Sequence, residues 1–106
     1  MAILNIPLII LKGAPLKKAV ELMKPWYLNE DKRLAREYRF KSFSEAWGFC
    51  TRVALLAEKI DHHPIMTINY NIVKIILFTL DKNAITMWDV DTAHAIEKLA
   101  KKAAEE

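Results

Sequence analysis

Glutamine is absent from the 106 residues, glycine occurs twice and cysteine once. The lone Cys50 cannot close an internal disulfide, so nothing points to an oxidising compartment. A small buried apolar residue on a helix is its expected role. Scarce glycine, with no repeat and no low-complexity stretch, excludes linkers and fibrous architectures. The missing glutamine and few glycines are compatible with a heat-adapted chain. Long apolar runs are missing too. Ala2 to Leu11 is too short to span a bilayer, and neither a positive leader nor a cleavage site accompanies it. No membrane association is expected, and the cytoplasm is the expected location. Sixteen Lys and Arg against thirteen Asp and Glu leave a net charge of +3, scattered apart from Lys101-Lys102. A basic stripe interleaved with aromatics is absent, which argues against direct binding of DNA or RNA. No Cys or third His stands at ligand spacing from His62 and His63, so no metal is expected.

What is present suits one domain over residues 1–106, with one core and little surplus. Ile3 to Leu11 reads as an extended or strand-like segment. Gly13 and Pro15 mark a break, and Leu16, Val20 and Met23 then recur at helical spacing until Pro25 stops the helix. Trp26 to Leu28 and Leu34 to Phe40 read as two strands around the turn Asn29-Glu30-Asp31-Lys32. Arg36 is the awkward member of the second strand's apolar face. Ser42 with Glu45 three residues on is a capping box. It opens a helix with Phe43, Ala46, Trp47, Cys50, Val53, Ala54 and Ala57 on one side. Phe49 and Leu56 carry apolar surface further round, which suggests a subunit contact. Met66 to Tyr70 and Val73 to Leu80 form a second hairpin. Thr86, with Asp89 three residues on, opens a last helix burying Val90, Ala93, Ile96, Ala100 and Ala103.

The order α-β-β-α-β-β-α has no parallel crossover. It implies an α+β fold: a four-stranded antiparallel sheet with helices packed on one face. Such a sheet has open edges that pairing between subunits would cover, so an oligomer is expected.

The densest titratable run is Glu58-Lys59-Ile60-Asp61-His62-His63-Pro64, at the junction of the central helix and the second hairpin. Imidazole titrates near pH ~6.5, so His62 and His63 can give or take protons near neutrality. Glu58 and Asp61 could orient the rings or hold one protonated. A loop projecting from rigid elements is where sites concentrate, although a solvated surface pair has the same sequence. Asp89 reads equally as the capping partner of Thr86 or as a functional carboxylate. His94 is expected to be exposed, and Trp26 and Trp47 to lie in the core.

The stretch from Phe40 to Pro64 resembles the central block of the pterin-4a-carbinolamine dehydratases. In that family an acidic residue, three others and His-His-Pro follow a helix, here Glu58 and His62-His63-Pro64. Tyr70 follows six residues after the proline, and Thr79, Asp81, Thr86 and Asp89 continue in register. The resemblance covers about residues 15 to 103, with residues 1–12 outside it. It implies dehydration of 4a-hydroxytetrahydropterin to quinonoid dihydropterin after an aromatic amino acid hydroxylase has turned over. The pterin is then substrate, and no cofactor is implied. By position, the resemblance assigns His62, His63 and Asp89 to catalysis and Glu58, Asp61, Tyr70 and Thr79 to the pterin site. The family's third histidine falls at Leu80, which can neither donate nor accept a proton. Its glycine-bearing loop is replaced by Asp81-Lys82-Asn83-Ala84. Relatives form dimers and tetramers, and some act as dimerisation cofactors of a homeodomain transcription factor. A catalytically impaired pterin-binding or scaffold protein is therefore the alternative reading. The dehydratase reading expects the rings of His62 and His63 to point together into one pterin-sized hollow beside the last helix.

Overall fold

The computed structural model describes residues 6–105. Short strand β1 (Ile10–Leu11) leads into helix α1 (Gly13–Leu22), followed by strands β2 (Tyr27–Leu28) and β3 (Leu34–Arg39). Helix α2 (Phe43–Ile60) crosses to the hairpin β4 (Ile65–Asn69) and β5 (Ile72–Leu77). A 3-10 turn, Leu80–Lys82, and strand β6 (Ile85–Thr86) precede helix α3 (Met87–Glu105). The main sheet is antiparallel with order β2-β3-β5-β4. The expected helix and strand order is present, with one addition. β1 pairs with β6, Ile10 opposite Thr86 and Leu11 opposite Ile85. β1 falls in the segment read as extended, whereas the two residues of β6 have no periodicity to reveal them. Residues 3–5 of the expected extended segment lie outside the described residues, as does the side chain of Ala103.

Register explains the core. Leu34, Arg36 and Tyr38 stand opposite Leu77, Ile75 and Val73. Leu34, Tyr38, Val73, Ile75 and Leu77 are buried together with Phe49 and Val53 of α2 and Ala93 and Ile96 of α3. The helices therefore cover that face, while Ile72, Lys74 and Ile76 on the other remain half-buried. Arg36 is tolerated because Glu97 of α3 receives its guanidinium, the Trp26 indole N–H at 2.9 Å and the Tyr38 hydroxyl at 2.5 Å. Trp26 is in the core, as its sequence suggested.

Helix α2 starts as its capping box predicts, with Ser42 Oγ accepting from the Glu45 N–H at 3.2 Å. Its buried face is a correction. Ala46, Phe49, Val53, Ala57 and Ile60 point inward, while Phe43 and Trp47 are half exposed and Leu55 and Ala54 are exposed. Both sides of α2 are apolar, so periodicity alone could not choose between them. Phe49 wins because its ring packs 5.0 Å from both Tyr38 and Phe40. Cys50 is only half-buried, and that burial pushes its thiol above the ordinary value.

The chain after β5 also departs from expectation. The strand ends at Leu77, not Leu80, because Thr79 and Ala84 bridge and close a tight turn. Asn83 supplies the left-handed residue (φ 50°) that this glycine-free loop needs.

Candidate active site

Two helix ends meet at the titratable run 58–63. Helix α2 closes with Asp61 in the left-handed conformation (φ 57°, ψ 43°). The His62 N–H then turns back to the Ala57 carbonyl at 3.1 Å. This reversal carries the His62 side chain inward, where Nε2 lies 2.6 Å from Asp89 Oδ1 in the first turn of α3. The His62 side chain is 10% exposed and the Asp89 side chain is fully buried. His63 takes a different partner. Its Nε2 lies 2.7 Å from Glu58 Oε1, one turn back on α2, and both side chains face solvent.

Asp89 is thoroughly satisfied. Oδ2 accepts from the Thr79 hydroxyl at 2.8 Å and from the Thr86 backbone N–H at 2.9 Å. The second bond is the capping interaction read from the sequence, so Asp89 both caps α3 and holds His62. The Thr79 and Thr86 hydroxyls are also 2.8 Å apart. A carboxylate in this position is further favoured by the N-terminal dipole of α3. The Trp88 ring stands edge-on to His62, with centroids 6.1 Å apart.

Of the residues singled out in sequence, the fold thus brings together His62, Asp89 and Thr79, with Leu80 adjoining Thr79. Glu58 and His63 form a neighbouring exposed pair, and Asp61 sits exposed at the helix end between them. Leu80 is 72% exposed at the start of the 3-10 turn, not on a strand. Tyr70 is not in this cluster. It forms the β4–β5 turn with φ 53°, and with the whole of β4 between them it lies roughly 20 Å from Pro64 at ~3.3 Å per residue. His94 is exposed, as expected.

Each ring meets its own carboxylate: His62 Nε2 the buried Asp89 and His63 Nε2 the exposed Glu58. Hollows of about 570, 610 and 530 Å³ open elsewhere: between β3 and α3, between α1 and β2, and between the end of α1 and α3. None of these three has His62, His63 or Asp89 in its wall. Trp88 is the participant that sequence reasoning missed, and the hydroxyl contact of Thr86 to Thr79 was not foreseen. Thr86 was visible as a helix cap and as a position in register with the family, and Trp88 has no periodic signal beside Asp89. No group of three His, Cys, Asp or Glu among the described residues is placed to hold a metal ion. Among the same residues, no helix is long and apolar enough to cross a membrane.

Comparison with known proteins bears on the same cluster. The family model for pterin 4 alpha carbinolamine dehydratase matches residues 10–99. The match begins earlier than the resemblance read from sequence, and takes in β1. A relative from Prochlorococcus marinus (strain NATL2A) that carries the same dehydratase name is 49% identical over 75 residues, covering 71% of this chain and 79% of its own. Another so named, from Rhodopseudomonas palustris (strain HaA2), is 40% identical over 91 residues, covering 85% and 90%. The crystal structure of a transcriptional coactivator/pterin dehydratase from Brucella melitensis superposes with a TM-score of 0.80 at 33% identity, covering 86% of this chain and 98% of that one. With its helix-covered antiparallel sheet and a match running from β1 into α3, the chain belongs to the pterin 4 alpha carbinolamine dehydratase family.

Proposed function

We propose that this chain dehydrates 4a-hydroxytetrahydropterin, the pterin carbinolamine, to quinonoid dihydropterin in pterin recycling in the cytoplasm. In that reaction the C4a–O bond breaks and the oxygen leaves as water, using a proton from an acid. A base removes a ring N–H proton, and the electrons of that bond form the product's C=N bond. Nothing is oxidised or reduced, so the chemistry asks only for two proton transfers. One protonated and one neutral imidazole can divide them. His62 and His63 are that pair, with Asp89 holding the first and Glu58 the second. The observation that carries the reading is the buried His62–Asp89 contact in a chain of this family. An aromatic amino acid hydroxylase is the source of carbinolamine in this reading.

The assay is direct. Purified protein mixed with freshly generated carbinolamine accelerates its loss above the spontaneous rate. A rate equal to buffer alone would remove the proposal.

One observation favours a second reading, a pterin-binding or scaffold protein with impaired turnover. Leu80 stands solvent-exposed where the resemblance places a third imidazole, and a positioned acid or base contributes ~10²–10⁴-fold to rate. The variant Leu80→His separates the two. A large gain in rate supports a dehydratase slowed at one position, whereas pterin binding with no gain supports the scaffold.

The protein acts as an oligomer, a dimer or tetramer, in either reading. Support comes from Phe43, Trp47 and Leu55 of α2, which leave a large apolar surface exposed on the single chain.

A further inference from the structure

Thr79 was first placed among the residues that line a pterin site. Its hydroxyl is already committed. A threonine hydroxyl carries one hydrogen and accepts through its lone pairs, so the direction of each bond can be worked out. The Trp88 backbone N–H donates to Thr86 Oγ1 at 3.2 Å, and a backbone N–H can only donate. Asp89 Oδ2 likewise accepts the Thr86 N–H at 2.9 Å. Two hydroxyl hydrogens remain to be placed.

If Thr86 gives its hydrogen to Thr79, and Thr79 gives its own to Asp89 Oδ2, every hydrogen has an acceptor. In the reverse direction Thr79 donates to Thr86, and the Thr86 hydrogen has nowhere to go. Thr86 and Asp89 are fully buried and Thr79 is 5% exposed, so water offers no remedy. A stranded donor at zero exposure is costly, and the forward direction is selected. Oδ2 then receives two donors and has no need of a proton of its own. Of the two groups in the 2.6 Å contact between Asp89 Oδ1 and His62, imidazole nitrogen is intrinsically the more basic, so with the carboxylate kept as an acceptor the shared proton sits on Nε2.

We propose that the Thr86–Thr79 hydroxyl pair is a positioning device: it fixes Asp89 as an acceptor on both oxygens and thereby locks His62 with Nε2–H facing the carboxylate. Nδ1 is left as the nitrogen that exchanges protons with a ligand. Thr79 acts through Asp89, and Thr86 acts through Thr79. The tautomer assignment stands on the geometry alone; its consequence for turnover rests on the dehydratase reading above. The chain of donors also explains why the turn after β5 must be tight. The Thr79–Ala84 bridge is what brings residues 79 and 86 within one hydrogen bond of each other.

The test is two-armed and uses the full chain labelled with ¹⁵N. Imidazole long-range ¹H–¹⁵N spectra are recorded at a pH where the His62 ring is seen to be neutral. Wild type should show a protonated Nε2 and a bare Nδ1. Thr79→Val, close in shape but without the hydroxyl, should give a mixture of tautomers, and Thr79→Ser should return to the single form. A protonated Nδ1 in the wild type, or an unchanged single tautomer in Thr79→Val, overturns the proposal. In the kinetic arm, Thr79→Val should lower kcat about 10- to 100-fold, the scale of a misplaced catalytic group, with KM nearly unmoved and with recovery in Thr79→Ser. A raised KM at constant kcat would instead make Thr79 a pterin contact and overturn it. Should the wild type show no turnover, the dehydratase reading fails, while the spectra still decide the tautomer.

Discussion

His62 and Asp89 lie 27 residues apart in sequence, yet His62 Nε2 and Asp89 Oδ1 are 2.6 Å apart across the meeting of two helix ends. Helix α2 delivers the imidazole just past its C-terminus, and α3 delivers the carboxylate in its first turn. The contact requires both terminations, the left-handed Asp61 and the cap at Thr86. A shift of one residue in either would point the side chain elsewhere, since successive helix positions are about 100° apart.

The first consequence concerns Asp89→Asn. The amide keeps the size of the side chain but replaces one acceptor with a donor. If its oxygen stays with Thr79 and the Thr86 N–H, its NH₂ faces His62 and forces Nε2 to accept. The ring then carries its proton on Nδ1, the wrong tautomer. We expect kcat to fall ~10²–10⁴-fold, the contribution of a correctly poised acid or base. Circular dichroism should remain that of the folded protein. Turnover near wild type would show that the carboxylate does not set the ring.

A second consequence lies away from this cluster, at Tyr38. Burial first, and then the hydrogen bond to Glu97, push its phenol well above the usual value. Below the unfolded tyrosine value of ~10 the phenol is neutral in both states and its contribution to stability is complete. Above ~10 the unfolded chain releases this proton while the folded chain keeps it, so stability falls as pH rises. Urea unfolding midpoints between pH 9 and 11 should drop more steeply for wild type than for Tyr38→Phe. Parallel curves would contradict the buried phenol.

The third concerns assembly. Trp47 is 56% exposed on α2, with Phe43 packed beside it at a ring distance of 6.0 Å. Sedimentation of the wild type should give a dimer or tetramer, and Trp47→Glu should shift it toward smaller species. A charge in a buried contact is costly, whereas on a solvated face it is harmless. A monomeric wild type would leave these side chains without the role proposed for them.

The same helix shows what could be read from sequence and what could not. Its start at Ser42 was legible because a capping box is a local device, complete within four residues. Its inward face was not, since Phe49 and Trp47 compete on equal hydrophobic terms. The Tyr38 and Phe40 rings that decide between them come from another strand. Arg36 was visible as an anomaly, but Glu97, which resolves it, lies 61 residues on. At the site, the His62-His63 pair and Asp89 were legible through local pattern and resemblance. The different partners of the two histidines were not, because they depend on how the ends of α2 and α3 meet. Thr86 looked like a cap and is one. Its hydroxyl contact to Thr79 depends on the turn that closes at Asn83, which sequence could only flag as missing its glycines.

The measurement that bears most directly on the account is the dehydration rate of 4a-hydroxytetrahydropterin in the presence of wild type and of His62→Ala, each followed by stopped-flow absorbance against the buffer rate. Wild type should exceed buffer, and removal of the imidazole held by Asp89 should erase ~10²–10⁴-fold of that advantage. Equal rates for wild type and His62→Ala would contradict it, because the one buried proton-carrying ring would then have no part in the chemistry.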